Sequence, residues 1–469
     1  MSNLLVPIVS FPYAARVLGP TGIGKVNFIF TFCHYFALIA ALGIPIYGMQ
    51  QVARYKYDEL KLKKVASELF LIHLFFTLFI LVIYFLIVLN MSFFKADLNY
   101  YLYGGIFIFL GFSGTDWFFS GMENFRFIAI RSLIVKSIGL LMLFTMVKHP
   151  SDGLVYFLIF LFYNVAKHVW NFFYFFKFLK LPLEQLKFRK HLPALIVLFL
   201  TGLSTLIYAE MDTLLLGFLK GDQFVGYYTT AIRLNKVVIP LIVSFGVVLV
   251  PKITQSFYQK DQSTLLQLAN QSFQLTCLLG IPCSVGLYTY APELVEVFAG
   301  HSFAHASLTM QLSSPLAFVI GLGNLAALQL LIPTKNERQY LLATVIGLVV
   351  NISLNLLLIL PYQDRGTALA AVFGECAVTI ISLYFVKVKL NIHFNWKVVL
   401  NALCASIIFI PVALVARQCI DEIWLRLLIV VPLCALLYFL IQLRVFKAPS
   451  LLKVADGAIY QLSRWNRSR

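Results

Sequence analysis

The chain has 469 residues, of which 60% are hydrophobic and only 12% charged, with 44 phenylalanines. That balance excludes a water-soluble globular domain and points to a polytopic membrane protein. A formal net charge of +17 would suit nucleic acid only if the basic residues formed one patch, and they do not, because membrane topology deals them out.

A bilayer-spanning helix needs about 20 mainly apolar residues. Such runs lie at 4–18, 26–50, 66–90, 98–122, 126–147, 153–180, 192–219, 224–250, 267–290, 308–332, 340–361, 366–386, 397–416 and 423–443, fourteen in all. No cleavable signal peptide precedes the first, since only Met1-Ser2-Asn3 stands ahead of it and no small-residue cleavage site follows.

The first two spans are joined by "LGPTGIGKV" at 18–26, one residue away from a phosphate-binding loop because Val26 stands where Ser or Thr is required. It follows a membrane helix rather than a strand, so its glycines are read as those of a tight turn. The second span carries Asn27, Thr31, His34 and Tyr35, and the fourth Asp116. The fifth holds Arg131 and Lys136. In the sixth, Asn164, Lys167, His168 and Asn171 fall on one helical face. The seventh has a polar stripe of Thr201, Ser204, Thr205, Tyr208 and Asp212, with Glu210 beside it, and the eighth holds Arg233 and Lys236 one turn before Pro240. Glu375 lies in the twelfth. His301 and His305 lack the acidic partner of a zinc-hydrolase helix, and Asn351 with Asn355 reads as helix-to-helix glue. The seven cysteines are scattered through apolar runs without CxxC spacing and read as reduced packing residues.

With a cytoplasmic N-terminus, the inside breaks and the tail hold 24 basic residues and the outside breaks 8. This bias sets both termini in the cytoplasm and lets the basic face attract anionic lipid. Tyr and Trp residues near span ends, such as Tyr100, Tyr290, Trp396 and Trp424, fit interfacial belts.

Five basic residues remain within spans: Arg131, Lys136, Lys167, Arg233 and Lys236. A charge at mid-bilayer costs at least about 2.5–3.5 kcal/mol, so these residues must face a bundle interior or watery cavity. One reading makes Asp116, Glu210, Asp212 and Glu375 their ion-pair partners, for instance Asp116 with Lys136. The other makes the cations a receptor for an anionic head-group and the carboxylates candidates for proton or sodium coupling.

The turn "ARVLGPTGIGKVNF" has a loose counterpart in "TLLLGFLKGDQFVGYY", each with Leu-Gly, a short turn and a Gly opening the next helix. This implies an all-α fold of about 14 transmembrane helices: two six-helix lobes in pseudo-two-fold repeat around a central cavity, plus two C-terminal helices. The expected divisions are 1–180 for the first lobe, 181–191 for a basic cytoplasmic linker, 192–386 for the second lobe, 387–443 for the extra helices and 444–469 for a basic tail.

"FPYAARVLGPTGIGKVNF" (11–28), "YFALIAALGIPIYGMQQVAR" (35–54), "TDWFFSGMENFRFIAIRSLIVKSIGLLMLFTMVKHPSDGLVYF" (115–157) and "MDTLLLGFLKGDQFVGYYTTAIRLNKVVIPL" (211–241) resemble the Wzx-type O-antigen and oligosaccharide flippases of the polysaccharide transporter group. That group belongs to the superfamily of multidrug/toxin extruders and the lipid II flippase. The resemblance covers most of 11–260. It matches the family's Pro-Tyr-x-x-Arg-x-Leu-Gly pattern at Pro12, Tyr13, Arg16, Leu18 and Gly19, its Asp-Trp segment at Asp116 and Trp117, and the following Arg and Lys at Arg131 and Lys136. It also implies a longer first helix than the ten residues ahead of Phe11 supply.

What the resemblance implies is a bacterial inner-membrane protein, not an enzyme, that turns an undecaprenyl-diphosphate-linked oligosaccharide from the cytoplasmic to the periplasmic leaflet by alternating access. Arg16, Arg131, Lys136, Lys167, His168, Arg233 and Lys236 would line the diphosphate and sugar cavity. Asp116, Glu210, Asp212 and Glu375 would serve ion coupling. It implies no cofactor beyond an H+ or Na+ gradient, no metal and no nucleic acid, and its partners are membrane lipid, a polysaccharide polymerase and a chain-length regulator. A multidrug/toxin extruder is the alternative with the same architecture, although a cavity with five cations suits an organic cation poorly. A polymerase or ligase would need a larger outside loop than 291–307.

Overall fold

Long apolar runs in lipid have to satisfy their backbone amides internally, which a helix does within one segment. The computed structural model describes the backbone at 2–178 and 186–447 and the side chains at 9–177 and 186–447, and among those residues every regular element is helical. Lys180, the first part of the basic linker (181–185) and the tail beyond 447 lie outside the described residues.

Among the described residues, eleven segments are long and apolar enough to cross a membrane, or twelve if one bent pair counts as a single span. Two of the eleven, Val9–Tyr55 and Glu337–Leu390, contain internal backbone breaks, at Gly19 (φ 67°) and Gln363 (φ 56°). Both breaks fall where the sequence reading ends a span.

The chain divides into two compact units, one ending at Gly226 and the other beginning at Tyr227. The first contains α1 (Ser2–Ala41), α2 (Ile44–Tyr55), α3 (Glu59–Asn90), α4 (Leu98–Leu110), the short α5 (Asp116–Gly121), α6 (Phe125–Met146), α7 (Gly153–Phe178) and α8 (Leu192–Lys220). The boundary falls within α9 (Asp222–Lys236). Its core gathers Leu69, Phe70 and Ile72 of α3, Trp117, Phe118 and Phe119 of α5, and Phe175 of α7. The opposite face of α3 turns Phe75, Phe79, Val82 and Leu86 outward, as lipid requires. The reading above opens the second lobe with the helix at 192–219; here α8 packs on α1 and α2.

The near-miss loop motif is a helix break, and its glycines serve close packing. Gly19 and Gly221 both have positive φ, 67° and 87°, and each is followed five residues later by another glycine, Gly24 and Gly226. A Cβ on Gly24 would lie 1.7 Å from the Asp222 carbonyl oxygen, and one on Gly226 would lie 2.0 Å from that of Pro20. The two turns therefore press backbone to backbone in a reciprocal contact. This shifts the register of the repeat: Gly221, and not Gly217, corresponds to Gly19. Gly217 instead makes room for the Phe28 ring. Lys25 beside the seam bonds Asp97 at 2.7 Å and lies 3.9 Å from Asp222.

The second unit continues with α10 (Ile239–Val247), α11 (Val250–Tyr258), α12 (Gln262–Thr289), α13 (Ala291–Ala299), α14 (Ala306–Ser313), α15 (Leu316–Asn324), a π-helical stretch at Leu325–Leu331, and α16 (Glu337–Leu390). The C-terminal helices are α17 (Lys397–Ser406), α18 (Phe409–Cys419) and α19 (Ile423–Arg444). α12 and α13 meet at a 74° bend. Buried Glu293 on α13 accepts from Arg417 Nε of α18 at 2.6 Å and from Arg426 of α19 at 3.4 Å, which ties the last helices to the bend. His305 Nε2 bonds Asp364 Oδ1 at 3.2 Å, an interaction made next to the break at Gln363.

Candidate functional site

Asp116 opens α5, where the chain turns through a 3-10 segment at Gly111–Ser113 and Gly114. Gly114 is needed there because a Cβ would sit 2.8 Å from His168 Nδ1 of α7. Asp116 Oδ1 accepts from Arg131 Nη2 of α6 and from Asn171 Nδ2 of α7, each at 2.7 Å. Asp116 thus pairs with Arg131, where the sequence reading offered Lys136 as its ion-pair partner. The Arg131 side chain is 2% exposed and that of Asp116 36%. The guanidinium is the enclosed member, and the carboxylate is the one that reaches an accessible surface.

The polar face of α7 holds in part. Asn171 reaches Asp116, whereas Asn164 turns back to the Phe160 carbonyl of its own helix. Lys167, one turn before Asn171, is half-buried, and its ammonium has no hydrogen bond or ion pair among the described residues. It lies within electrostatic reach of Asp116 and Arg131, and Lys136 within reach of Lys167. Among the described residues, His168 Nδ1 is buried without a hydrogen-bond partner, as are Arg131 Nε and Nη1 and Asn171 Oδ1. Buried polar atoms in that state call for ordered water.

The other expected site residues have these surroundings. Arg16 is exposed on α1, three residues before the break. Arg233 is half-buried and Lys236 exposed on α9, in the second unit. Glu210 of α8 faces His34 of α1 at 3.2 Å, Asp212 is buried on α8, and Glu375 is half-buried on α16.

Sequence reading missed a second charged cluster. Glu68 of α3 has a side chain 0% exposed and accepts from the Lys187 backbone amide at 2.7 Å, Lys190 Nζ at 2.7 Å and His191 Nε2 at 2.9 Å. A carboxylate only accepts, so Nε2 carries the His191 proton and Nδ1 accepts from the Tyr47 hydroxyl at 2.9 Å. Three donors from one short segment, 187–191, converge on one carboxylate. The available signal was a glutamate inside an apolar helical face, between Val65, Leu69 and Ile72.

Burial holds the His191 imidazole below its ordinary range, and Lys190 adds to the effect, against the pull of Glu68. The folded chain therefore resists a proton that the unfolded chain accepts. Stability from this group is full above about pH 6.5 and falls as the pH drops through that value. In thermal unfolding of the detergent-purified protein, His191→Phe should flatten the loss of melting temperature between about pH 7 and 5; an unchanged slope would refute the assignment.

Residues 1–257, more than half of the chain, match the family described as "Polysaccharide biosynthesis protein". The chain belongs to that family. An Escherichia coli (strain K12) protein assigned as an O-antigen transporter is 24% identical over 429 residues, covering 82% of this chain and 94% of the relative. The fold of this family member is also that of the lipid II flippase MurJ in its inward closed conformation, with a TM-score of 0.73 at 17% identity over 94% of this chain and 96% of the other. An inward-facing multidrug resistance transporter of the MATE family is less similar, at a TM-score of 0.66 and 12% identity over 83% of this chain and 95% of the other. The architecture is that of polytopic transporters.

Proposed function

We propose that this member of the polysaccharide biosynthesis family flips undecaprenyl-diphosphate-linked oligosaccharide units from the cytoplasmic to the periplasmic leaflet of a bacterial inner membrane. Both termini lie in the cytoplasm, and the movement is one of alternating access. The observation that carries this reading is the unpartnered Lys167 ammonium beside the Asp116–Arg131 pair, inside a helix bundle whose outer faces are apolar. A cation kept within a membrane helix without a counter-charge of its own is costly. A diphosphate head-group that enters from water supplies that counter-charge through charge-assisted hydrogen bonds. The assignment of the Escherichia coli relative as an O-antigen transporter agrees with this chemistry.

Energy comes from an H+ or Na+ gradient or from removal of the product. For proton coupling the pair to examine is Glu210 with His34, 3.2 Å apart. A polymerase and a chain-length regulator would consume the flipped unit.

The reading is tested by complementing a strain that lacks its own flippase. Lys167→Ala should lower surface polymer about tenfold or more, the scale of one lost charge-assisted contact, while lipid-linked repeats accumulate in the inner leaflet. Lys167→Arg should keep much of the activity. Normal polymer from Lys167→Ala would sink the diphosphate role, and export of cationic dyes by wild-type protein without polymer would favour the multidrug reading.

A further inference from the structure

We infer that Asp116 is a specificity residue, the acceptor for a hydroxyl of the sugar attached to the diphosphate. The inference rests on the flippase reading above and goes beyond it in assigning the sugar contact.

The geometry separates the two charges of the pair. Arg131 is enclosed, and neither its Nε nor its Nη1 is open to solvent. It can hold a carboxylate but cannot itself be offered to a head-group. Asp116 uses one oxygen, Oδ1, for both donors it receives, from Arg131 Nη2 and Asn171 Nδ2. Oδ2 accepts no hydrogen bond among the described residues, and the side chain retains 36% exposure. An ionised carboxylate gripped at one oxygen by a buried guanidinium and a buried amide cannot swing away, so its second oxygen is aimed in a fixed direction. Two-point restraint of this kind is what pre-organises a recognition group.

The ligand decides what that oxygen meets. A carboxylate accepts hydrogen bonds and repels other anions. A diphosphate has no donors at neutral pH, and a polyprenyl chain has none at all. In a lipid-linked oligosaccharide only the sugar supplies O–H or amide N–H donors. Lys167 stands one helical turn from Asn171 on the same face of α7, within electrostatic reach of Asp116. The ammonium therefore takes the diphosphate, while the carboxylate takes the neighbouring sugar and keeps the phosphates from settling on its own side. Arg131 and Asn171 are positioning residues that act through Asp116.

The test compares two ligands on purified full-length protein by native mass spectrometry: undecaprenyl diphosphate bearing the host's repeat unit, and undecaprenyl diphosphate alone. Because a bare Asp116→Asn change strands a buried guanidinium, two other variants are used. Asp116→Glu keeps the charge opposite Arg131 but moves the oxygens, and Asp116→Asn with Arg131→Met removes both charges together. Each should weaken the sugar-bearing lipid about tenfold, as expected for a hydrogen bond to a charged group, and change the bare lipid by less than about twofold. Lys167→Gln should weaken both lipids alike. Equal weakening of both lipids by the Asp116 variants, or no weakening of either, would overturn the sugar assignment and leave the flippase reading standing. Failure of the wild-type protein to bind either lipid would overturn the flippase reading itself.

Discussion

Gly24→Ala is expected to unfold or misassemble the first unit. The added Cβ would stand 1.7 Å from the Asp222 carbonyl oxygen and 2.6 Å from the Gly226 nitrogen, both of them backbone atoms. No rotamer change can relieve the overlap, so α1 and the start of α9 must separate, with loss of the packing along the seam. Overpacking usually costs about 1–3 kcal/mol, and a clash with main chain on both sides belongs at or beyond the upper end. Gly226→Ala should do the same, because its Cβ would meet Pro20 backbone at 2.0 Å. Gly111→Ala is the control: its φ is an ordinary −55° and nothing lies within 4 Å of the added carbon. That change should be neutral or slightly stabilising, within about 1 kcal/mol. Melting temperature and the monodisperse fraction on size-exclusion chromatography would report all three. Equal behaviour of Gly24→Ala and Gly111→Ala would show that the seam is not needed.

Glu68→Ala should be nearly as severe, by a different route. The substitution leaves the Lys187 amide and the His191 Nε2–H without their acceptor, and it leaves Lys190 without its counter-charge. Breaking a buried ion pair by removing one partner typically costs about 3–5 kcal/mol. Lys190 is 43% exposed and can turn to water, so about 3 kcal/mol is the better expectation here. Glu68→Gln retains one carbonyl acceptor and should recover part of the loss. Limited proteolysis of the 186–191 segment would separate this mechanism from general destabilisation, because the clamp holds that segment directly. If Glu68→Ala left both melting temperature and cleavage unchanged, the cluster would have no structural weight.

Much of this was legible in the chain because it depends on local or periodic features. Apolar run length implied helices, and the ends expected near 18 and 361 fall beside the breaks at Gly19 and Gln363. Ionisable residues in apolar runs marked Asp116, Arg131 and Lys167, since each departs from its surroundings by several kcal/mol of transfer cost. Partner choice was not legible. Arg131 bonds a carboxylate 15 residues away, across the turn between α5 and α6, and no periodicity encodes that. Lys190 and His191 looked like ordinary members of a basic linker; their acceptor lies more than a hundred residues earlier in the chain. Arg131 also shows that type and position do not imply environment: its side chain is enclosed against Asp116, which a basic residue in an apolar run does not announce.

The reciprocal seam has a consequence for how such a chain can change over generations. Gly24 rests on Asp222 and Gly226 rests on Pro20, so each copy of the turn is the other's mould. A larger side chain in one copy cannot be accommodated by adjusting its own neighbours, because the obstructing atoms belong to the main chain of the other. The two segments are therefore free to drift in their flanking letters, which have lost nearly all likeness, yet they stay bound to a shared glycine spacing. Among distant relatives, this paired spacing should persist longer than any residue that touches the cargo.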